Sequence, residues 1–226
     1  MSEGIVARGS KTVVRWFQRE DVERRQQWPR HTDPLYSHND PRPMSARERE
    51  LWFLERASSP NYHMFTVDDF YGNMIGWITL RNINHAAGNG VLGIALDPTK
   101  MSMGFGTDAL MAFLEYYFDG LGLREMVLDV AAFNERAMRS YEKCGFRYVG
   151  QHWTEHPRSA FPPVFSDPQY RPILRYLRRS LLGIEVLYYD MVVDKAAYLR
   201  QKAVLQDRAS GERQEERTPS RRAAHR

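Results

Sequence analysis

The apolar pattern of the chain changes period at residue 107. Before it, "VLGIALDP" (91–98) is a run of β-branched and apolar residues closed by Pro98, which reads as a strand. After the turn "TKMSMGFG", residues Leu110, Phe113, Leu114, Tyr117 and Leu121 recur at helical spacing. "EMVLDVAAF" (125–133) then returns to a short apolar strand. Strand, glycine turn, helix and strand make a crossover between neighbouring strands, and that unit commits the chain to a mixed α/β domain.

The flanking segments extend this unit. "TVVRWF" (12–17) reads as a strand and "REDVERRQQW" (19–28) as a short helix with acidic residues in its first turn, where the helix dipole favours them. Ser45 and Glu48 fit a capping box that opens a second helix, with Leu51, Trp52, Phe53 and Leu54 as its apolar surface. "HMFTVDD", "MIGWITLRNIN" and "VLGIALDP", separated by "FYGN" and "HAAGNG", read as consecutive antiparallel strands. Asn134 caps a helix on which Ala137, Tyr141 and Cys144 share a face, and Gly145 ends it. "FRYVGQHWTEH" and "EVLYYDMVVD" are two further strands.

Residues 157–184 between those two strands are long for a hairpin connection. Their second half, "YRPILRYLRRSLLG", is expected to form a basic amphipathic helix packing Ile173, Leu174, Leu177 and Leu181 on the domain. From Asp207 onward no large apolar residue occurs, so the domain is expected over 10–205 and a disordered basic tail over 206–226.

Composition removes several function classes. One cysteine, Cys144, excludes an internal disulfide framework and a cysteine zinc site, and it fits a reducing, cytoplasmic setting. No apolar run approaches the roughly 18 residues of a membrane span, and the N-terminal residues lack the apolar core of a signal peptide. The net charge of +4 is mild and sits largely in the tail. Basic and aromatic residues interleave in "QYRPILRYLRR", but no nucleic-acid module is visible, so a nucleic-acid partner is not expected.

Two segments carry candidate chemistry. Amides of residues 103–107, between a strand and a helix, would point at one spot and bind an anion through backbone groups and the helix dipole; the same glycines would serve a simple turn. The segment is neither a Walker loop nor a Rossmann G-x-G-x-x-G. The second segment is "NERAMRSYEKCGF" (134–146). Asn134 is a good N-cap whether or not it binds a ligand, and Tyr141 could be an ordinary core aromatic.

Together the two segments resemble the GNAT N-acetyltransferase superfamily. "GIALDP…GFGTDAL" is similar to its acetyl-CoA loop and helix, and Asn134, Arg136, Ala137, Arg139, Tyr141, Glu142, Lys143, Gly145 and Phe146 match its second CoA-contacting helix. Trp28, Asp33 and Pro34 further resemble the RimJ/RimL-like branch, which includes ribosomal-protein and spermidine acetyltransferases. The resemblance covers about residues 10–156 and 185–199 and leaves out the 157–184 insertion and the tail.

It implies a single domain with a mostly antiparallel sheet of six to seven strands, splayed at a central CoA cleft and flanked by about four helices. It implies acetyl-CoA as cosubstrate and transfer of its acetyl group to a primary amine: a protein N-terminus, a polyamine or another small amine. Backbone groups of Ile94, Ala95 and Leu96 would pair with the pantetheine amides, and one N–H there would polarise the thioester carbonyl. The loop Met101, Ser102, Met103, Gly104, Phe105, Gly106 and Thr107 would hold the pyrophosphate. Asn134 would bond the pantetheine arm, Arg139 would reach the 3′-phosphate, and Tyr141 would protonate the leaving thiolate as general acid.

The sequence departs from that pattern. Met101, Ser102 and Met103 stand where basic residues and glycine are common, and Lys100 lies one residue early. The acidic residue often found just before "GIAL" is absent, leaving His85 and Asp97 as nearby alternatives for a base. Acceptor recognition would fall to the 29–45 loop, where His31, Asp33, Tyr36, His38 and Asp40 lie, and the insertion would form a lid or a partner surface. The resemblance allows a monomer or a homodimer. The competing reading is a regulatory or CoA-binding module that keeps the fold without catalysis.

Overall fold

The computed structural model describes residues 4–216. Nine strands form one sheet: β1 (Ile5–Arg8), β2 (Thr12–Trp16), β3 (Tyr62–Asp69), β4 (Met74–Asn84), β5 (Asn89–Leu96), β6 (Glu125–Ala131), β7 (Arg147–Pro157), β8 (Leu177–Arg179) and β9 (Gly183–Asp194). The helices are α1 (Arg19–Gln26), α2 (Ala46–Ala57), α3 (Phe105–Glu115), α4 (Glu135–Lys143) and α5 (Lys195–Glu216). The strands run in the order β1-β2-β3-β4-β5-β6-β9-β7, with β8 pairing β9 beyond the stretch of β9 that β6 covers. Among the described residues no helix is long and apolar enough to cross a membrane.

All pairs are antiparallel except β5–β6. Those two strands pair only through Asn89–Val91 and Glu125–Val127. Beyond Leu92 and Leu128 they part: β5 stays with β4 as far as Leu96, and β6 stays with β9 as far as Ala131. The crossover read from the period change is therefore present, and it opens the sheet at its centre.

Strand alternation divides the two faces. Leu80, Leu92, Met126, Leu128 and Val130 join Leu110, Phe113 and Leu114 of α3 in the main core, on which Tyr141 of α4 and Ala197 of α5 also pack. On the other face a smaller cluster of Phe17, Val22, Met64 and Met74 lies under α1 and α2. Asp21 ties α1 down: its buried carboxylate accepts from Arg15 at 2.7 and 2.8 Å, from the Gln18 amide at 2.8 Å and from Thr66 at 2.8 Å. The capping box of α2 forms as the sequence predicts, with Glu48 N–H donating to Ser45 Oγ and Ser45 N–H donating to the Glu48 carboxylate.

The mixed α/β class and the open, mostly antiparallel sheet are as expected, and the details differ in places. β1 and β8 raise the strand number to nine, and β1 lies before the expected domain start at residue 10. The basic segment is a 3-10 helix (Pro168–Tyr176) followed by β8, not an amphipathic α-helix, because Pro172 lacks the N–H that an α-helix interior requires. Ile173, Leu174 and Leu177 pack as expected, but Leu181 is fully exposed at the turn before β9. Its arginines lie over aromatic rings, Arg178 3.6 Å from the Trp153 centroid and Arg179 4.7 Å from that of Phe165. Helix α5 carries the described chain beyond residue 206, where the tail was expected to begin; residues 217–226 of that tail lie outside the described residues.

Candidate active site

The parting of β5 and β6 leaves a cavity of ≈ 520 Å³ that reaches from the α3 loop, past α4, to the loop around His31–Asn39. Among the described residues, the β5 backbone from Leu92 to Leu96 has no strand partner on the side facing this gap. Such groups are left for a ligand or water to satisfy. Ile94, Ala95 and Leu96, proposed from the sequence, all line it.

The glycine loop closes one end. Helix α3 opens at Phe105, two residues before the expected start, because Gly104 takes a left-handed conformation (φ 85°) at the cap. Ser102 is also left-handed (φ 64°). Such curls turn successive amides toward one concavity, as anion nests do. Met101, Ser102, Gly104, Gly106 and Thr107 line the cavity. Met103 and Phe105 do not: the Met103 side chain is 53% exposed and Phe105 packs on the main core. Only their backbone amides remain available to a ligand.

A cation reaches the loop from a part of the chain that sequence reading did not connect to it. Asp108, in the first turn of α3, accepts from Ser10 N–H (2.8 Å), Ser10 Oγ (2.6 Å), Lys11 N–H (2.9 Å) and Thr12 Oγ1 (2.7 Å). Gly9 fits against it because a Cβ there would lie 2.1 Å from the Asp108 carboxylate. Burial opposes the charge on Asp108, but these hydrogen bonds outweigh it and hold its pKa below the ordinary value. The β1–β2 hairpin is thereby fixed to α3, and Lys11 Nζ donates to Met103 O at 3.3 Å. Lys100, the nearer cation in sequence, does not line the cavity.

Helix α4 forms the wall. Asn134 Oδ1 accepts from Ala137 N–H at 3.2 Å, which caps the helix and leaves its amide nitrogen as a donor toward the cavity. Arg139 lines the cavity and pairs with Glu135 at 3.3 Å. Tyr141 is partly buried, and its ring packs on Phe146 at 5.7 Å. Among the described residues its hydroxyl has no hydrogen-bond partner, although it lines the cavity. Burial, with the nearby charge of Asp129, raises its pKa, so it is protonated at neutral pH. The same face carries Cys144, a buried thiol pushed up to about 12 and hence inert.

The far end is aromatic. Tyr36 packs on Phe133 (6.1 Å) and His31 (6.2 Å), and Arg136 lies 5.6 Å from the Tyr36 ring. Tyr188 meets His156 Nε2 at 3.1 Å, and burial with the Asp129 charge pushes its hydroxyl up to about 12. Burial lowers the pKa of both His38 and His156 and keeps them neutral. Neither alternative base from the sequence is here: Asp97 accepts from Thr99 N–H and Oγ1, His85 is exposed, and neither lines the cavity. The carboxylate that does line it is Asp129, which sequence reading missed because its place depends on where β5 and β6 separate.

Comparison with known proteins adds to this geometry. The model of the acetyltransferase (GNAT) domain matches residues 11–147. Spermidine N(1)-acetyltransferase of Vibrio cholerae is 34% identical over 123 residues, 51% of this chain and 66% of the relative. The corresponding Escherichia coli protein is 30% identical over 104 residues, 46% of this chain and 52% of the relative. The chain thus spans about half to two thirds of the curated relatives it matches. The structure of spermidine N-acetyltransferase from Vibrio cholerae in complex with CoA and spermine has a TM-score of 0.61 at 21% identity, covering 84% of this chain and 99% of that chain. At that identity the likeness is one of fold.

Proposed function

Because the chain belongs to the GNAT acetyltransferase domain family, we propose that it transfers an acetyl group from acetyl-CoA to a primary amine by direct attack. The observation that carries this reading is the parting of β5 and β6 against a wall that holds Tyr141 without a protein partner. Acetyl-CoA supplies the acetyl group as a thioester. The residues present suit it: an unpaired strand edge for amide groups, a curled loop with a lysine beside it for phosphates, and an unengaged amide donor at Asn134.

In this reading the backbone of Ile94–Leu96 aligns the pantetheine arm, and one of its N–H groups faces the carbonyl that gains negative charge. The amides of Met101–Thr107, including those of Met103 and Phe105, hold the pyrophosphate. Arg139 reaches the 3′-phosphate. The amine would attack in its neutral form after giving its ammonium proton to water in the open cleft. As the C–N bond forms and the C–S bond breaks, Tyr141, protonated at neutral pH, would give its proton to the departing sulfur. It would be reprotonated, through water, by the proton that the amide nitrogen loses. The acceptor enters from the His31–Asn39 side, under the insertion, which packs there through Phe161, Val164 and Tyr170.

Binding of acetyl-CoA is the first requirement. Thermal denaturation with increasing acetyl-CoA should show stabilisation growing with the logarithm of its concentration, about 2.7 kcal/mol at a hundredfold excess over Kd. No stabilisation at millimolar acetyl-CoA would overturn the proposal.

A further inference from the structure

The acceptor end of the cavity has one carboxylate, and its surroundings set the charge of the amine it takes. Met126, Leu128 and Val130 are buried in the core beneath α3 and α4, so the alternating residues Asp129 and Ala131 look to the opposite face. There Ala131 and Tyr188 pair across β6–β9, and Leu35, Phe133 and the insertion pack around them. Tyr141, packed on the main core, and Asp129 therefore flank the gap from its two faces.

The neighbouring acids are already engaged. Asp190, directly opposite Asp129 across β6–β9, meets His152 Nδ1 at 2.9 Å. Asp33 accepts from Leu35 N–H at 2.9 Å, and Asp40 binds the His31 amide at 2.9 Å and its Nδ1 at 2.6 Å. Asp129 makes no hydrogen bond to the protein among the described residues; its nearest cation, Arg81, is 3.9 Å away. It is the one carboxylate among the described residues that line the cavity, where Arg81 and Arg136 also lie.

A carboxylate whose only ion-pair partner is the loosely placed Arg81 can neutralise one ammonium and no more. The additional ammonium groups of a polyamine would meet Arg81, Arg136, aromatic rings and the neutral His38, with no further carboxylate in the lining to compensate their lost hydration. A flat apolar body matches Tyr36, Phe133 and Tyr188 instead. We propose that Asp129 receives the acceptor's ammonium group, and that this chain takes a primary amine of single positive charge on an aromatic body in preference to a polyamine. The proposal rests on the transferase reading.

The test titrates phenethylamine and spermidine calorimetrically into CoA-saturated protein, wild type and Asp129→Asn, beside a CoA titration of each protein. The wild type should bind phenethylamine at least about tenfold more tightly than spermidine, and Asp129→Asn should weaken phenethylamine about tenfold or more. CoA affinity should be the same in both, which shows that the variant is folded. Arg81→Gln should narrow the gap between the two amines. With CoA binding intact, tighter binding of spermidine, or an Asp129→Asn variant that keeps its affinity for phenethylamine, overturns this inference and leaves the transferase reading standing. Absence of CoA binding in the wild type overturns both.

Discussion

The hydroxyl of Tyr141 lies in the cavity with no protein partner among the described residues, protonated and close to the point where β5 and β6 separate. Tyr141→Phe is expected to lower kcat by roughly a hundredfold or more, the range of a lost general acid, with CoA affinity nearly unchanged. Steady-state kinetics paired with calorimetry measure both, and unchanged turnover removes Tyr141 from that role. Lys11 gives a different signature. Lys11→Met should weaken CoA binding roughly fivefold at low salt while sparing kcat, and the difference should shrink as salt is raised. Asp108→Ala should go further, freeing the hairpin and removing about 2 kcal/mol of stability by chemical denaturation. The pH dependence has a definite sign. The folded-state pKa of Asp108 is depressed, so its contribution is complete above the unfolded carboxylate value near 4 and is lost as pH falls through the lower folded value. Stability curves of the wild type and Asp108→Ala should converge in that acid range. At this scale Asn134 and Tyr141 were legible in the sequence because both belong to one local helical pattern. Lys11 and Asp129 were not, since their positions depend on a hairpin docking onto α3 and on a strand pair separating.

Among the elements, strands and caps were the most legible. The Ser45–Glu48 box, the Asn134 cap and the alternation of β3–β5 are local signals, and each formed where the residues indicated. The insertion was misread because apolar spacing alone cannot tell a 3-10 turn followed by a strand from an amphipathic helix; Pro172 was the local sign that an α-helix would not form. Its strand, β8, continues along β9 beyond β6, which seats the insertion beside the far end of the cavity. Phe161 is buried there, its ring 5.5 Å from those of His38 and His156. Phe161→Ala should cost about 3 kcal/mol in local packing. It should raise KM for the amine while leaving CoA binding near wild type. An equal loss in both would mean that the insertion supports the whole cleft and not the acceptor end alone.

At the scale of the molecule, the cleft is assembled from segments far apart in sequence: the His31–Asn39 loop, β5 with its glycine loop, β6 with α4, and Tyr188 of β9, with the β1–β2 hairpin fixed beside the glycine loop. A single opening in the sheet brings them together. That explains why the mixed α/β class and the glycine loop at one end of the cavity could be read from one crossover, whereas the far end could not. The loop without basic residues, which on sequence grounds favoured a non-catalytic module, has a lysine beside it in three dimensions. The central claim is transfer of an acetyl group to an amine, and its most direct measurement is release of free thiol from acetyl-CoA across a panel of primary amines, with Tyr141→Phe run in parallel. The expected result is amine-dependent thiol release by the wild type that falls sharply in the variant. Thiol release no faster with any amine than without one would contradict it.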